Sequence, residues 1–497
     1  MDFILTELKH NPSLRRIIEL TRDCPQEIYL VGGWLRDIML KRKTKTRSRL
    51  SRGNLFYGDF DFAVSSQAIR LSREIAKKLK SGFVILDKEH GSTRIIYRDN
   101  SFSCNFDFTD FRGKDINEDL LHRDFTVNSL AVNLKRIKQA KSADEILIDN
   151  YRARKDIKAK TIRVISDFSL PEDPVRILRA FSLSAVLNFN IAPKTKAAIA
   201  KYKKSVTSSA FERITEELFK IMNSENAFTT FASMDKLKVL DEIIPEIKSM
   251  RKVSQGPYHH LDVYGHSLET LKQIEILFEQ LKRHRNIQDY LNQVVAGTHT
   301  KRALLKLGAF LHDIGKPIAK RRVGRKTCFH GHERAGRNIA RGIAGRLRLA
   351  NDERNALEKI IFWHLRPGYM ADIKHLSRRA VFKYFRDTQR EAVSILLLSI
   401  ADQRSTRGPL TRGANRKHHE DVCLELAKEF FSKEKEIKLP RLIDGNDVMK
   451  HCNLSPGPLI GKVLAEAEES QAVGEITTKA QALALAGAFV KERVKKS

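Results

Sequence analysis

Val31-Gly32-Gly33-Trp34-Leu35-Arg36-Asp37, followed further along the chain by Gly58-Asp59-Phe60-Asp61, is the stretch that decides the fold of the N-terminal part. Alternate residues of a strand point to the same face, so a strand through Asp59 and Asp61 presents both carboxylates on one side. Two carboxylates that close together repel each other unless a cation lies between them. Mg²⁺ prefers such oxygen ligands, and the pair therefore predicts a metal site.

The Gly32-Gly33 pair precedes a predicted helix. A glycine turn at a helix N-terminus offers backbone N–H groups to phosphate. Arg36, one helical turn later, is placed to neutralise phosphate charge. A triphosphate site beside a metal-binding aspartate pair makes nucleotidyl transfer the first functional hypothesis.

Asp107 lies in another strand-like run, Cys104-Asn105-Phe106-Asp107-Phe108. On a neighbouring strand it would add a third carboxylate to a two-metal site. In such a site one ion activates a 3′-hydroxyl, and the other holds the triphosphate and stabilises the pyrophosphate leaving group. The alternative is a strand residue that simply faces solvent.

The composition favours a polyanionic partner. Of 497 residues, 91 are Lys or Arg and 60 are Asp or Glu, which gives a net charge of +31. Nucleic acid is the simplest such partner, and an anionic membrane surface is the rival. We expect no membrane partner, because no apolar run reaches the ~18 residues that a spanning helix needs. The N-terminus lacks a signal-peptide n-region, and five dispersed cysteines without Cys-x-x-Cys suit a reduced cytoplasm.

Two regions differ in their hydrophobic patterns. Five runs alternate or are apolar and β-branched or aromatic, and they predict strands at Glu27–Val31, Asp59–Val64, Phe83–Leu86, Arg94–Tyr97 and Ser103–Phe108. From Glu172 onward helical spacing dominates, as in Pro174–Val186, Phe211–Met222 and Met234–Ile244. The patterns predict an α+β head with a mixed sheet and helices, followed by an almost all-α remainder.

A basic insert, Lys41–Arg52, contains seven Lys or Arg residues and no acid. It is either a solvated loop or an arm that contacts phosphate beside the site. Both interpretations stay open, and they are compatible with each other.

Asp173 and Arg176 flank Pro174 at the start of a predicted helix, where positions i and i+3 share a face. A carboxylate beside a planar guanidinium can hydrogen-bond the edge of a base. The alternative is a capping carboxylate with an intrahelical ion pair.

Five motifs occur in order between roughly residues 25 and 222: Val31–Asp37, Asp59–Asp61, Arg123–Asn128, Glu172–Ala180 and Glu212–Ile214. This set resembles the class II tRNA nucleotidyltransferase and bacterial poly(A) polymerase family. One departure is His122, which stands where the family usually has the first of two arginines.

The resemblance implies a site whose residues match the family motifs. Asp59 and Asp61 would be catalytic and would bind Mg²⁺, and Asp107, inferred above from its strand, is the third candidate catalytic residue. Arg123 and Asp124 would contact ribose and phosphate. Asp173 and Arg176 would act as a protein template that selects C or A. The nucleotide-binding set is Gly32, Gly33, Arg36, Arg123, Asp124, Asn128, Asp173, Arg176 and Arg179.

The histidines and acids of the second half form a different pattern. His266, the adjacent pair His312-Asp313, His332, His364 and Asp402 fall on separate helical segments. Such a set is typical of a metal-binding helical bundle. Imidazole with carboxylate suits Mn²⁺, Fe, Ni²⁺ or Zn²⁺, and Mg²⁺ where carboxylates dominate.

His312-Asp313-Ile314-Gly315-Lys316-Pro317 resembles the signature of the HD phosphohydrolase domain. The resemblance implies the ligands His266, His312, Asp313 and Asp402, with His332 and His364 for a second metal. It implies metal-assisted phosphoester hydrolysis, or an inactive fold that helps to hold RNA.

The C-terminal segments Gly445–Met449 and Leu454–Gly461 resemble the tail of HD-bearing CCA-adding enzymes, which contacts the tRNA body. A helical cap on the HD domain is the alternative. We therefore expect a transferase head at 1–165, a helical neck at 166–250 that binds the nucleotide base and RNA, an HD domain at 255–410 and a tRNA-binding tail at 411–497.

The resemblance implies a cytoplasmic enzyme that adds or repairs the 3′-terminal CCA of tRNA from CTP and ATP. CC-only addition, A-only addition and poly(A) synthesis remain open. A phosphohydrolase with an RNA-binding head and a pure RNA-binding protein are the alternatives from other classes. The oligomeric state is left open by the sequence.

Overall fold

The computed structural model describes residues 3–41, 55–98, 102–324, 326–433 and 441–494. The chain divides into two compact units, the first formed by 1–221 and 233–243 and the second by 222–232 and 244–497. The basic insert lies outside the described residues apart from Lys41, so both interpretations of it stay predictions.

The first unit begins with a seven-stranded sheet and its helices. The strands are β1 (Ile28–Val31), β2 (Leu55–Val64), β3 (Gly82–Asp87), β4 (Ser92–Arg98), β5 (Phe102–Asp110), β6 (Ala131–Asn133) and β7 (Leu147–Ile148). The helices are α1 (Phe3–His10), α2 (Pro12–Leu20), α3 (Gly33–Met39), α4 (Ala68–Leu79), α5 (Ile116–Leu121) and α6 (Ala153–Lys158).

The sheet is mixed, as predicted. Its order is β3-β4-β5-β2-β1-β6-β7, with β2 and β5 parallel and all other neighbours antiparallel. All five predicted strands are confirmed. The sequence reasoning missed β6 and β7, which are too short for alternation to be recognised.

Alternation along β2 and β5 separates an apolar face from a polar face. Phe60 and Phe62 of β2 are buried against Phe106 and Phe108 of β5, and the rings of Phe62 and Phe108 stack with centroids 4.8 Å apart. Helix α4 packs against β4 and β5. The intervening Asp59, Asp61 and Asp107 are therefore left for the other face.

The remainder of this unit is helical. Two-residue strands β8 (Thr161–Ile162) and β9 (Asn190–Ile191) accompany the helices α7 (Ser169–Glu172), α8 (Arg176–Leu187), α9 (Pro193–Tyr202), α10 (Phe211–Asn223) and α12 (Leu240–Ile243). Helix α11 (Ala227–Lys236) begins in the second unit and ends in the first. The segment with helical spacing at Met234–Ile244 contains the end of one helix and the whole of the next. Helix α11 ends at Lys236, Lys238 adopts a left-handed φ of +59°, and α12 follows. A left-handed residue of this kind ends a helix.

The second unit is helical apart from two hairpins, β10 (Val294–Ala296) with β11 (His299–Thr300) and β12 (Arg321–Val323) with β13 (Lys326–Cys328). Its helices are α13 (Val263–Gln280), α14 (Arg285–Leu291), α15 (Lys301–Leu311), α16 (Lys316–Ala319), α17 (His332–Arg346), α18 (Asn351–Trp363), α19 (Arg366–Ala371), α20 (Arg378–Thr388), α21 (Ala392–Ser405), α22 (Gly413–Lys433), α23 (Gly445–Cys452), α24 (Pro458–Ala472) and α25 (Lys479–Val494).

The core of the second unit surrounds α21, whose residues from Ala392 to Ala401 are all buried. Helices α13, α15 and α22 pack against it. The last three helices have a core of their own that includes Val448, Val463 and Ala486. The division into four parts stays a prediction. Within the described part of the chain, no helix is long and apolar enough to cross a membrane.

Replacing Phe106 with Ala should lower the free energy of unfolding by about 3–5 kcal/mol, because the ring is buried and a cavity remains. Phe168, whose exposed fraction is 79%, is the matched control, and Phe168→Ala should change stability by less than about 0.5 kcal/mol. Denaturant unfolding of both variants measures the difference. Equal losses would contradict this account of the core.

Candidate active site and metal centre

One cavity of about 400 Å³ in the first unit brings together most of the predicted nucleotide-site residues. It is lined by Gly32, Gly33, Arg36, Asp61, Asp107, Arg123, Asp124, Asn128, Asp173, Arg176 and Arg179. Asp59 does not line it. Its side chain is exposed on the same strand, where Asn105 Nδ2 donates to Asp59 Oδ1 at 2.8 Å.

The backbone conformation and the close neighbours of residue 32, directly after β1, explain why it is a glycine. Val31 pairs with Asp61 in the sheet, and Gly32 follows with φ +81°, a value that favours glycine. A Cβ at Gly32 would lie 3.2 Å from Arg123 Nη1 and 3.3 Å from Asp61 Oδ2. Helix α3 then begins at Gly33, so its N-terminus opens beside the carboxylate of β2.

Asp61 and Asp107 are neighbours across the parallel β2–β5 pair. Arg94 of β4 binds both oxygens of Asp107, at 2.8 and 2.7 Å. Burial raises the pKa of Asp61 to about 6, with Asp107 and Asp59 adding to the rise against the opposing charges of Arg123 and Arg179. The negative charge at Asp61 is therefore under-compensated by the protein.

This electrostatic state fits a hard divalent cation at the Asp59–Asp61 pair. Arg94 already neutralises the charge of Asp107, so Asp107 does not share the uncompensated charge of the Asp59–Asp61 pair. Among the described residues, the groups of three potential ligands that converge within 4.8 Å both lie in the second unit. Asp61 lines the cavity and Asp59 lies outside it on the same strand, so the first unit offers an open carboxylate pair rather than a closed cage.

Asp124 is buried at the centre of a connected polar network. It accepts hydrogen bonds from the backbone N–H of Phe125 at 2.7 Å and from Asn128 Nδ2 at 3.0 Å, and Arg179 Nε lies 2.6 Å away. Asn128 Oδ1 in turn accepts from Arg36 Nη1 at 2.5 Å. Although burial opposes it, the charge of Arg179 and these hydrogen bonds hold the pKa of Asp124 below its usual range. Asp124 and Asn128 therefore orient two arginines at the cavity.

The prediction that Asp173 and Arg176 share a helix face is wrong. Asp173 is extended, with φ −144°, and α8 begins only at Arg176. Pro174 disfavours helical geometry at the residue before it. Both Asp173 oxygens instead bind Arg213, at 3.0 and 2.7 Å.

Arg176 is buried at the edge of the same cavity. It donates to the backbone carbonyls of Ser169 and His122 and to Glu172 Oε2 at distances of 3.0, 2.8 and 3.1 Å. Its distance to Asp173 Oδ2 is 3.8 Å.

Three further side chains take part in the site without having been predicted to do so: Arg94, Asn105 and Arg213. Arg213 belongs to the Glu212–Ile214 motif, so the sequence analysis included this residue but assigned it no function. Arg94 and Asn105 come from strands that pair with the aspartate strands, and nothing in their own spacing identifies them.

The second unit brings all six predicted metal ligands together, in two groups. His266, His312 and Asp402 form one group, and Asp313, His332 and His364 form the other. Asp313 therefore belongs with the pair expected to serve a second metal. It also lies 3.1 Å from His312 Nε2, so it is the link between the groups.

The histidines are oriented as metal ligands should be. In His312, His332 and His364, ring Nδ1 lies 2.9, 2.8 and 2.6 Å from the backbone carbonyl three residues earlier. A donor hydrogen bond from Nδ1 leaves Nε2 as the free ligand atom. His312 Nε2 is buried and makes no hydrogen bond to any residue that the structure describes.

The charges of this centre also suit a divalent metal. Although burial opposes it, Asp313 and Asp402 raise the pKa of His312 to about 10. Burial and the nearby His312 and His332 lower the pKa of His364 to about 3. Lys316 Nζ lies 2.6 Å from Asp313 Oδ2 and donates to Gln255 Oε1 at 2.6 Å. Imidazole with carboxylate can hold a divalent transition metal here.

Three family models match successive parts of the chain. The poly(A) polymerase head domain matches residues 28–163. A model described as the probable RNA and SrmB-binding site of polymerase A matches 188–251, and the HD domain matches 263–407.

Curated relatives match over nearly the whole chain. An A-adding tRNA nucleotidyltransferase of Deinococcus radiodurans is 28% identical, over 94% of this chain and 96% of the relative. A CC-adding tRNA nucleotidyltransferase of Thermus thermophilus is 25% identical over 93% of each, and one of Geobacter sulfurreducens is 26% identical over 97% of this chain and 96% of the relative.

Solved structures share the fold. A CCA-adding enzyme in complex with ATP superposes with a TM-score of 0.62 at 18% identity, over 98% of both chains. The Thermotoga maritima CCA-adding enzyme in complex with tRNA superposes with a TM-score of 0.58 at 19% identity, over 99% of both chains.

Gly315→Ala should disrupt the metal centre of the second unit. A Cβ at Gly315 would lie 2.1 Å from the backbone O of His332 and 2.4 Å from the backbone N of Gly336, so α17 must shift and move His332. Gly345, which lies on α17 itself, has nothing within 4 Å of an added Cβ and is the matched control. Stabilisation by Mn²⁺ in thermal unfolding should be lost in Gly315→Ala and kept in Gly345→Ala. Full Mn²⁺ stabilisation of Gly315→Ala would contradict this geometry.

Proposed function

We propose that this chain, which belongs to the class II tRNA nucleotidyltransferase and poly(A) polymerase family and carries an HD domain, adds or repairs the 3′-terminal CCA of tRNA. The substrates would be CTP and ATP, and pyrophosphate would be released. The observation that supports the proposal is a cavity lined by the Gly32-Gly33 turn, by aspartates that include Asp61 and by several arginines. The family relatives that match over nearly the full chain act on tRNA by name.

The RNA 3′-hydroxyl would attack the α-phosphate in line with the leaving pyrophosphate. Mg²⁺ held by Asp59 and Asp61 would supply charge neutralisation and lower the pKa of the hydroxyl. Asp107, held by Arg94, would lie beside the metal site as a third carboxylate. Most of the catalysis would come from positioning and from charges arranged in advance.

The triphosphate would be held by backbone and guanidinium donors. The N-terminus of α3 at Gly33 offers backbone N–H groups, and Arg36 lies one helical turn further along. Arg123 and Arg179 line the same cavity. The side chains of Asp124 and Asn128 are buried and already hydrogen-bonded within the protein. They would therefore act on the substrate through Arg36 and Arg179.

Asp173 would read the incoming base. Cytosine N4 and adenine N6 are amino donors at equivalent edges, whereas uracil presents a carbonyl acceptor there. A carboxylate that Arg213 holds in place can accept from either amino group. Arg176 would complete the template by breaking one of its three hydrogen bonds within the protein and donating to the base instead.

Addition of only A or only CC is the second candidate. The A-adding and CC-adding relatives of Deinococcus, Thermus and Geobacter match this chain over 93–97% of its length. The motifs that the family shares do not separate complete from partial addition, so the product has to be measured.

The HD domain would be a metal-dependent phosphohydrolase. His266, His312 and Asp402 would hold one metal and Asp313, His332 and His364 a second, with Mn²⁺, Ni²⁺, Fe, Zn²⁺ or Mg²⁺ as candidates. Bound metal would lower the pKa of a water molecule. Lys316 would stabilise negative charge on the phosphoryl group beside Asp313.

The rest of the chain would serve tRNA binding. The net charge of +31 matches a polyanionic partner. The neck at 166–250 would bind the base and RNA, and the tail at 411–497 would contact the tRNA body in the cytoplasm.

The test uses tRNA transcripts that lack CCA, CA or A, an unrelated RNA, and CTP and ATP singly or together. We expect discrete products that end at CCA. Products that stop after CC, or A added only to a tRNA ending in CC, would replace this proposal with partial addition. Long A tails on any RNA would indicate a poly(A) polymerase, and no addition would overturn the transferase proposal.

Asp59→Ala combined with Asp61→Ala should reduce addition by about 10³-fold or more, because the metal held by this carboxylate pair would supply the main charge stabilisation.

His312→Ala should abolish phosphohydrolysis and leave addition unchanged. Asp144→Ala with Asp167→Ala removes two exposed carboxylates and is the matched control. Extension of tRNA and hydrolysis of a p-nitrophenyl phosphodiester measure the two activities. Addition that survives the Asp59 and Asp61 double change would contradict the assignment.

Addition should fall at acidic pH in a Mg²⁺-dependent way. Asp61, with its pKa raised to about 6, is protonated below that pH and binds metal in the ionised form above it. Activity should drop about tenfold per pH unit below the midpoint, and more Mg²⁺ should move the midpoint to lower pH, because metal and proton compete. RNA binding at each pH is the control. A profile independent of Mg²⁺ would contradict this prediction.

A further inference from the structure

We propose that Asn105 of β5 is a positioning residue for the metal site of the first unit. Its side-chain amide holds the carboxylate of Asp59 in place, so that a divalent cation would meet an oriented ligand. The inference deepens the proposed nucleotidyl transfer and rests on it. None of the five sequence motifs includes Asn105.

The parallel pairing of β2 and β5 places Asn105 directly beside Asp59. Asp59 pairs with Asn105, as Asp61 pairs with Asp107. Asn105 Nδ2 donates a hydrogen bond to Asp59 Oδ1 at 2.8 Å. The carboxylate also dictates which way the amide faces, because the Asn105 carbonyl oxygen in the same place could only repel it. The contact is therefore specific to a donor at position 105.

A β-bulge in β2 sets this register. Phe56 pairs with Ser103. Asp59, three residues further along β2, pairs with Asn105, which is only two residues further along β5. Gly58, within the bulge, has φ +106°, a value that favours glycine. Without the extra residue the side chain of Asp59 would move to the apolar face of the sheet, so the bulge brings Asp59 and Asn105 together.

Asn105 orients Asp59 without neutralising it. An amide donates a hydrogen bond but has no net charge. On the same strand Asp107 has a different partner, since Arg94 binds both of its oxygens and balances its charge. A cation at position 105 would compensate Asp59 in the same way and compete with a metal. The neutral donor leaves the negative charge of Asp59 available for a divalent cation.

The position of Asp59 explains why it needs such a partner. Asp59 is exposed and lies outside the nucleotide cavity, so packing restricts its side chain little. A freely rotating carboxylate loses rotamer freedom when it binds a metal, and a hydrogen bond that is already made reduces this loss. Hydrogen-bond partners of metal ligands typically contribute about 10–100-fold to metal affinity or activity. Loss of the Asn105 amide should therefore weaken metal binding.

The first measurement is Mn²⁺ binding by the full chain, followed by electron paramagnetic resonance. A background of His312→Ala with His364→Ala removes ligands of the second unit. Asp59→Ala with Asp61→Ala in this background defines the Mn²⁺ bound elsewhere, and the difference is the Asp59-dependent binding. Asn105→Ala should weaken the affinity of that binding about tenfold or more.

Two further variants separate orientation from charge and from general effects of substitution. Asn105→Lys places an ammonium group beside Asp59 and should abolish the Asp59-dependent Mn²⁺ binding that Asn105→Ala only weakens. Asn150→Ala is the matched control, because it removes another exposed asparagine amide of the first unit, one that donates to Asn117 Oδ1 at 2.5 Å. It should leave Mn²⁺ binding unchanged. Thermal unfolding without metal checks that each variant is folded.

The Mg²⁺ dependence of nucleotide addition is the second measurement. Asn105→Ala should raise the KM for Mg²⁺ about tenfold. The kcat at saturating Mg²⁺ should stay near the wild-type value, because excess cation offsets the lost orientation. A purely structural role would instead lower kcat at every Mg²⁺ concentration.

The outcomes distinguish the role of Asn105 from the proposed function. If Asn105→Ala changes neither the Asp59-dependent Mn²⁺ affinity nor the KM for Mg²⁺, or if Asn150→Ala causes an equal loss, the positioning role is overturned and the transferase proposal stands. If the affinity falls as expected but the wild-type chain extends no tRNA, the positioning role stands and the transferase proposal is overturned. Absence of Asp59-dependent Mn²⁺ binding in the histidine-substituted background would overturn the metal pair and the role of Asn105 together.

Discussion

The architecture of the first unit depends on keeping carboxylates close together in a partly buried place. Asp59 and Asp61 share a strand face, and Asp107 joins them from the next strand. Repulsion among these charges and loss of hydration both oppose folding, which is why the pKa of Asp61 rises to about 6. The phenylalanine layer on the opposite face holds the strands in register against this cost. Arginines balance the charge only in part, and a divalent cation held by the carboxylates would balance the remainder.

In the surrounding network some residues would contact the substrate, and others hold those residues in position. Gly32 permits the close approach of Arg123 and Asp61, while buried Asp124 and Asn128 fix the arginines behind the phosphate site. The second unit uses the same logic with other ligands. Backbone carbonyls hold Nδ1 of three histidines, which leaves Nε2 as the atom that would bind a metal. In both units a rigid shell orders the groups that would bind metal.

Much of this could be predicted from the sequence because it depends on local patterns. Alternation identified the five main strands, and the glycine turn and the Asp-x-Asp spacing pointed to Gly32, Gly33 and Asp61, which line the cavity, and to Asp59, which does not. The geometry at Asp173 could not be read from helical spacing, since Pro174 keeps Asp173 extended and Arg213, forty positions along the chain, binds it. Arg94 meets Asp107 through strand pairing, and Asp313 joins His332 and His364 through helix packing. Such partners come from tertiary contacts, which a single sequence does not encode by spacing.

We propose that a carboxylate pair on β2 holds a catalytic metal beside a triphosphate, separately from the metal ligands of the HD domain. Crystals of the full chain grown with Mn²⁺ and a non-hydrolysable CTP analogue, with anomalous diffraction measured at the manganese edge, test it most directly. We predict anomalous density between Asp59 and Asp61, next to a triphosphate at Gly33 and Arg36, in addition to density at the two histidine groups. Anomalous density confined to the histidine groups, with the analogue bound in the first unit, would contradict the claim.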